Sequence, residues 1–240
     1  LNDLDRWMLA RLQEYLRYAL NAYESFEYHR FYHETRRFCN VELSAFYLDV
    51  IKDRLYAEAQ GSVARRGAQT VLHELASALV RLLAPIIPHT AEEVWQRLPM
   101  PDKPISVHLA DFPTVCEAWR DPALLERWER ILEVREAVNR AVEQAKNEKR
   151  IPNPMSAKVV VHAPPALLTI LRAYPTPPTP DNLLARVFGV SQAEVAPVDG
   201  DLQVEVNLAP GRKCARCWLV LPDVDAETEL CARCKAVVEA

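Results

Sequence analysis

Glycine is scarce in this sequence, with five glycines among 240 residues and 18 prolines beside them. Phosphate-binding loops depend on clustered glycines, and no such loop occurs. The Gly-x-Ser-x-Gly elbow that exposes a nucleophilic serine is missing as well. These absences exclude two common catalytic designs, and the sequence therefore predicts a binding region rather than a catalytic one.

Long apolar runs are also missing, since none approaches the roughly 20 residues that cross a bilayer. No basic-then-apolar leader opens the chain, so we expect a cytoplasmic protein with no membrane partner. The chain begins with Leu rather than Met, which predicts a piece of a longer protein. Acidic residues outnumber basic ones by 33 to 29, which argues against nucleic-acid binding driven by the overall charge of the chain. A local basic patch stays possible.

Apolar residues recur at helical spacing through the first 150 residues. The pattern predicts helices over residues 2–26 and 29–56, a third after a Ser62 cap, a short one with a Thr90–Glu93 capping box, and a fourth from Asp121 and Pro122. Long helices joined by short loops indicate an up-and-down bundle, so the fold class is mainly α.

The composition changes after residue 150. "KVVVHA" predicts a buried strand, and "DNLLARVFG" predicts a helix capped by Asp181 and closed by Gly189. The residues around Asp199 and Gly200 are typical of a hairpin turn. We predict three domains, a helical bundle over residues 1–150, a small α/β junction module over 151–209 and a zinc-binding module over 210–240.

Four of the six cysteines form a Cys-x2-Cys-x13-Cys-x2-Cys pattern of Cys214, Cys217, Cys231 and Cys234. Each pair can present two sulfurs from a tight turn, and four thiolates close a tetrahedral shell around zinc. A closed shell leaves no position for substrate, so we expect one structural zinc ion. The alternative is two unrelated cysteine pairs or disulfides, which a reducing compartment disfavours.

Basic and aromatic residues surround these cysteines and also end the fourth helix. The set is Arg212, Lys213, Arg216, Trp218, Arg233, Lys146, Lys149 and Arg150. Guanidinium groups beside an indole suit phosphates and an unpaired base, as in single-stranded RNA loops, so these eight residues are candidate RNA-binding residues. The alternatives are that Trp218 packs in a small core, that the arginines are solvated, and that the helix-end cations only complement the helix dipole.

Several stretches occur in the order seen in bacterial isoleucyl-tRNA synthetases. They are "LDRWMLARLQE", "FCNVELSAFYLDVIKDRLY", "RRGAQTVL", "LLAPIIPHTAEEVWQ", "SVHLADFP" and "KCARCW...LCARC". The chain resembles that family over essentially its whole length, closely in the first half and at the cysteine tail, and loosely between about residues 152 and 205. Glu42 stands where the family usually has aspartate.

This resemblance implies the carboxy-terminal piece of a class I synthetase, with a helical anticodon-binding domain and a zinc-stabilised end that helps hold the anticodon stem-loop of isoleucine tRNA. The parent ligase, an expected monomer, would use ATP and magnesium in a domain outside this chain. Neither class I ATP motif occurs here, so we expect no catalytic residue and no editing site in this chain.

Two other readings stay open. A DNA glycosylase with a similar terminal finger would need a catalytic proline and glutamate at its start, whereas this chain begins Leu-Asn-Asp. A zinc-containing adaptor could bind a protein instead of a nucleic acid. Salt separates these classes, because binding to RNA weakens steeply as salt rises and an apolar protein interface does not.

Overall fold

The computed structural model describes residues 1–239, so the last residue of the predicted zinc module, Ala240, lies outside the described residues. The chain forms two compact units. The first comprises residues 1–55 and 60–125, and the second comprises residues 56–59 and the chain from residue 126 onwards. The boundaries at residues 55/56 and 125/126 each fall within a helix. The three-domain partition with a boundary at residue 150 stays a prediction.

The first unit is helical, as the apolar periodicity predicts. It contains α1 (Asp3–Glu24), α2 (Tyr28–Arg37), a π-helix (Phe38–Tyr47), the start of α3 (Leu48–Ala57), α4 (Val63–Leu83), α5 (Pro88–Arg97) and the start of α6 (Pro122–Asn147). Short 3-10 turns at Val107–Leu109 and Glu117–Trp119 lie between α5 and α6. No helix in the described part of the chain is long and apolar enough to cross a membrane.

Side-chain caps fix the starts of α1, α4 and α6, and Asp121 caps α6 as predicted, since its side chain accepts from the Leu124 amide at 3.0 Å. The Asn2 side chain accepts from the Asp5 amide at 2.9 Å, and Ser62 caps α4 as predicted by accepting from the Arg65 amide at 3.1 Å. The predicted Thr90–Glu93 capping box is wrong, because α5 already begins at Pro88. Proline sets the helical φ angle and lacks the amide that a first helical position leaves unpaired.

The predicted helix over residues 29–56 is three consecutive segments, with ten π-helical residues between α2 and α3. This π-helix carries the buried carboxylate of Glu42, which accepts two hydrogen bonds at 2.9 Å from Arg11. Arg37 binds the same carboxylate at 2.7 Å. The two guanidiniums compensate the burial of this negative charge. Apolar spacing in the sequence does not predict these ion pairs.

The second unit contains α6 from Glu126, a three-stranded sheet and the cysteine tail. Its strands are β1 (Ala157–Ala163), β2 (Gln192–Pro197) and β3 (Gln203–Leu208), in the order β2-β1-β3, with α7 (Pro165–Arg172) and α8 (Leu183–Phe188) between β1 and β2. β1 pairs parallel with β2 and antiparallel with β3. The strand predicted at "KVVVHA" is confirmed as β1.

The predicted hairpin around Asp199 and Gly200 is wrong, because β2 and β3 do not pair with each other. Both strands pair with β1, which takes the central position because its alternate residues Ala157, Val159, Val161 and Ala163 are fully buried. Helix α8, which precedes β2, is closed by Gly189 in the left-handed conformation, as predicted. Its cap is Asn182 rather than Asp181, since the Asn182 side chain accepts from the Ala185 amide at 2.9 Å.

A buried ionic cluster supports the first unit. Asp5 is 1% exposed, accepts from the Tyr47 hydroxyl at 2.9 Å, and binds both amino groups of Arg54 at 2.6 and 2.9 Å. Removing one partner of a buried pair leaves the other charge uncompensated. We expect Asp5→Asn to lower the free energy of unfolding by about 3 kcal/mol, measured by urea denaturation.

Asp49→Asn is the matched control, because Asp49 and Lys52 form a pair at 2.8 Å whose side chains are both more than half exposed. An exposed pair contributes at most about 1 kcal/mol. Equal losses in the two variants would contradict a special contribution from the buried cluster.

Candidate metal centre and its basic surroundings

The four cysteines of the predicted zinc module meet in the second unit. Their sulfur atoms all lie within 4.8 Å of one another, with Cys217 Sγ and Cys231 Sγ 3.9 Å apart. None of them forms a disulfide. Four sulfurs arranged tetrahedrally at about 2.3 Å from a zinc ion are spaced about 3.8 Å from one another. The cluster therefore has the donor set and the spacing for one zinc ion and leaves no ligand position open.

A short hairpin presents the first cysteine pair. Strands β4 (Arg212–Lys213) and β5 (Val220–Leu221) are antiparallel, and the Cys214 amide donates to Leu219 O at 2.8 Å across the turn. Gly211 before β4 has a φ of 114°, and a β-carbon there would lie 2.2 Å from Leu221 O. Only glycine fits this position, which is one specific use of a scarce residue.

The second pair is placed by a helix. Cys231 is the N-cap of α9 (Ala232–Val238), and Cys234 lies in its first turn. The Ala215 amide donates to Glu229 O at 2.9 Å, and the Cys231 amide lies 3.4 Å from Cys214 Sγ. These two contacts bring the cysteine pairs together across the residues that separate them in sequence.

The thiols do not ionise alike. Burial opposes ionisation of Cys214, yet backbone amides that donate to its sulfur lower its pKa to about 6. Burial raises the pKa of Cys217 above its usual range, and the neighbouring sulfurs add to this rise. Burial also raises the pKa of Cys231 to about 11. Several thiolates at this spacing repel one another, and a bound divalent cation neutralises their charge.

The module has a small core of its own. Its buried members are Cys214, Leu219, Leu221, Val224, Cys231 and Cys234, with Met155, Cys217 and Leu230 packed against them. Three of the six buried members are proposed ligands, so only three apolar side chains other than cysteine are buried in this core. Trp218 does not belong to this core, because its side chain is 65% exposed.

Two buried polar residues fasten the hairpin to the sheet. The Gln192 side chain donates to Pro210 O at 2.9 Å and to Val220 O at 3.0 Å, while the Ser191 hydroxyl accepts from the Val220 amide at 2.8 Å and donates to Met155 O. Neither residue is predicted as a site residue from the sequence. The only signal was a serine and a glutamine at the start of a strand whose other residues are mostly apolar.

The eight candidate RNA-binding residues divide into three groups. The first consists of Arg212, Lys213 and Trp218, which are exposed and lie on β4 or in the turn after Cys217. Trp218 has a φ of 67°, and its amide donates to Cys214 O at 3.0 Å, so the turn around the metal site fixes its backbone. This left-handed conformation is uncommon for a residue with a large side chain.

The second group is the pair of arginines inside the Cys-x-x-Cys motifs. Arg216 donates to the carbonyl oxygens of Tyr56 and Ala57, which belong to the second unit. Arg233 forms an ion pair with Glu58 at 2.8 Å. Both guanidiniums are thus engaged by the protein itself, and RNA contact by these two residues stays a prediction.

The third group ends α6. Lys149 adopts a φ of 59°, its amide donates to Lys146 O, and the Arg150 amide donates to Ala145 O, both at 2.9 Å. This is a Schellman cap in which lysine occupies the position that glycine usually takes. Arg150 also donates to Val206 O at 3.0 Å, and Lys146 lies 3.4 Å from Glu143. RNA contact by Lys146, Lys149 and Arg150 stays a prediction.

A second possible ligand pair was also missed. His29 and His33 are exposed and lie four residues apart on α2, a spacing that two ligands of one metal can share. Within residues 1–239, however, the cysteine cluster is the one group of three or more potential ligands close enough to hold an ion.

We expect the purified chain to contain about one zinc ion per molecule, bound by four sulfurs at about 2.3 Å. Elemental analysis gives the stoichiometry, and X-ray absorption at the zinc edge gives the ligand type and distance. A nitrogen or oxygen ligand in the first shell, or a preparation that is folded without stoichiometric metal, would contradict this assignment.

Chelation should affect the two units differently. The first unit contains none of the four ligands, and its own buried residues and caps hold it together. We expect removal of zinc to leave most of the helical circular dichroism intact while the residues after 210 become sensitive to protease. Loss of the whole helical signal together with the metal would show that the units do not fold separately.

Comparison with known proteins agrees with this geometry. Residues 5–161 match the family described as the anticodon-binding domain of tRNA ligase. Residues 211–237 match the zinc finger found in FPG and IleRS, and this match and the sulfur cluster together support a structural zinc ion.

Several similar proteins are named isoleucine–tRNA ligase, including the following three. That of Syntrophotalea carbinolica is 42% identical over 98% of the chain, that of Moorella thermoacetica 42% over 99%, and that of Geobacillus thermodenitrificans 40% over 99%. The chain covers 26%, 27% and 27% of their respective lengths, or about a quarter of each. The match over residues 5–161 spans more than half of the sequence, and the chain therefore belongs to the anticodon-binding domain family of tRNA ligases.

Proposed function

We propose that the chain is the carboxy-terminal, tRNA-binding region of an isoleucine–tRNA ligase, and that its zinc module contacts the anticodon stem-loop of isoleucine tRNA. The relatives' names and their high coverage of this chain support the isoleucine assignment. Joining isoleucine to tRNA with ATP and magnesium would take place in the remaining three quarters of such a protein. This chain would contribute binding and orientation of the RNA.

The observation that best supports an RNA contact is the exposed indole of Trp218, which lies next to the proposed metal ligand Cys217. Ligation of Cys217 and the hydrogen bond to Cys214 O fix the backbone of Trp218 before RNA arrives. A fixed side chain loses less conformational freedom when it binds, and a base can stack on its exposed face. An indole needed for the core of the module would instead be buried.

Arg212 and Lys213 supply positive charge beside the indole. They are successive residues of β4 and point to opposite faces of the strand, so they can reach different phosphates. No hydrogen bond or ion pair within residues 1–239 engages either side chain, which leaves both available to an anion. Such a local patch reconciles RNA binding with a net charge of −4.

The glycosylase alternative loses support, because the anticodon-binding family covers residues 5–161 and the finger alone is shared with FPG proteins. The protein-adaptor alternative is tested by salt. If the chain binds RNA through phosphate contacts, its affinity for an anticodon stem-loop falls as a power of the salt concentration.

The proposal is tested by Trp218→Ala and Arg212→Gln in the parent enzyme. Stacking is worth roughly 1–3 kcal/mol per base, so we expect Trp218→Ala to raise the KM for tRNA by about five- to 150-fold. Isoleucine-dependent ATP–pyrophosphate exchange should not change, because activation of the amino acid does not use this module.

Trp218→Phe is the matched control, since phenylalanine keeps a stacking face and should restore most of the affinity. Zinc content must stay at one per chain in each variant, so that the comparison does not report on unfolding of the module. Wild-type tRNA kinetics in zinc-replete Trp218→Ala and Arg212→Gln would overturn the proposed contact surface.

A further inference from the structure

Arg216 connects the metal site to a helix end that lies about 160 residues earlier in the sequence. Its Nη1 donates to Ala57 O, and the same nitrogen lies 3.7 Å from Cys234 Sγ. Its Nη2 donates to Tyr56 O at 3.4 Å. One guanidinium therefore contacts a sulfur of the cluster and two backbone carbonyls at the end of α3.

These carbonyls need donors. The last four carbonyl groups of an α-helix have no partner within the helix, and together they form the negative end of its dipole. Glycine usually follows a helix to satisfy them by a local turn, but Glu58 and Ala59 follow α3. The positive guanidinium of Arg216 supplies two hydrogen bonds at this place and complements the dipole.

Arg233 makes a second contact with the same segment. Its Nη1 lies 2.8 Å from Glu58 Oε1, and the two side chains are only 15% and 16% exposed. Solvent screens such a pair less than it screens a surface pair. The arginine of each Cys-x-x-Cys motif thus binds a residue or carbonyl between positions 56 and 58.

We propose that Arg216 and Arg233 are positioning residues through which the zinc site caps the end of α3, so that zinc binding and the ordering of Tyr56–Glu58 stabilise each other. Ligation fixes the two turns that carry the arginines, and a metal-bound thiolate adds negative charge beside Arg216. The coupling is reciprocal by linkage. If bound zinc stabilises the ordered form of Tyr56–Glu58, the ordered form of this segment must raise the affinity for zinc by the same factor.

This inference concerns the chain without RNA and does not need the proposed tRNA contact. It gives the two motif arginines a role that differs from that of Trp218, Arg212 and Lys213. Partners that hold a ligand from outside the first shell typically change metal affinity by about 10- to 100-fold when they are removed.

The test uses the 240-residue chain in two measurements. Competition with a chromophoric chelator gives the affinity for zinc, and hydrogen exchange with mass spectrometry follows the amides of residues 52–60 with and without zinc. In the wild type, we expect chelation to accelerate exchange at the end of α3. In Arg216→Gln, we expect zinc affinity to fall by about tenfold or more and exchange at residues 56–58 to be fast even with saturating zinc.

Arg212→Gln is the matched control, because it removes an arginine of the same module whose side chain is exposed. It should leave both zinc affinity and exchange as in the wild type. Glu58→Gln is the second variant, since it breaks the contact with Arg233 from outside the zinc module and cannot disturb folding of the cysteine turns directly. We expect it to weaken zinc binding by several-fold and to accelerate exchange at the same amides.

Three results would overturn the proposal. The first is that the amide hydrogens of residues 56–58 exchange at the same rate with and without zinc. Another is wild-type zinc affinity in both Arg216→Gln and Glu58→Gln. The third is unaltered zinc affinity and exchange in Arg216→Gln, combined with a raised KM for tRNA when the same substitution is made in the parent enzyme, which would make Arg216 an RNA contact. If Arg216→Gln does not fold, the Glu58→Gln result alone decides between the outcomes.

Discussion

The residues after position 210 depend on four sulfurs held within 4.8 Å of one another. This segment has few large apolar side chains, and three of the six buried residues of its core are cysteines. Hydrophobic burial alone cannot offset the conformational entropy of ordering so short a segment, whereas ligation of one ion supplies roughly 10–16 kcal/mol in isolated fingers. The hairpin, the left-handed Trp218 and both motif arginines all lie in the turns that carry these four sulfurs or directly beside them.

The first unit is stabilised by other means. Its long helices bury aromatic residues such as Tyr15 and Phe38, which stack at 4.4 Å, and Trp7 and Phe46, which meet edge to face at 5.2 Å. Two buried carboxylates, Asp5 and Glu42, are each bound by arginine. Such satisfied charges add geometric specificity to a core whose apolar contacts are not directional. The chain therefore combines an ordinary helical core with a tail built around a cluster of four cysteines.

Much of this could be predicted from the sequence, because helical spacing and the cysteine pattern are local signals. The start of α4 at Ser62, the strand at "KVVVHA", the closing Gly189 and the four candidate ligands all follow from short stretches. The strand order could not be predicted in the same way. A turn at Asp199 and Gly200 fits a hairpin, and only the pairing of both neighbours with β1 places another strand between them.

The candidate site shows the same limit. Sequence spacing placed Arg216 and Trp218 on either side of a ligand, but it could not show that one guanidinium is directed at Tyr56 and Ala57 while the indole is exposed. Those partners lie about 160 residues away, and a single sequence contains no signal for a contact at that separation. Local patterns therefore identified the metal site, while the roles of its neighbours required the tertiary structure.

The sequence separation between Arg216 and the end of α3 also means that the two are synthesised at different times. At a synthesis rate of roughly 5–20 residues per second, the 160 residues between them take about 8–32 s to make. During that interval Tyr56 and Ala57 have left the ribosome while the arginine that binds them does not yet exist. The end of α3 is thus a part of the nascent chain that chaperones and proteases meet before its final hydrogen bonds can form.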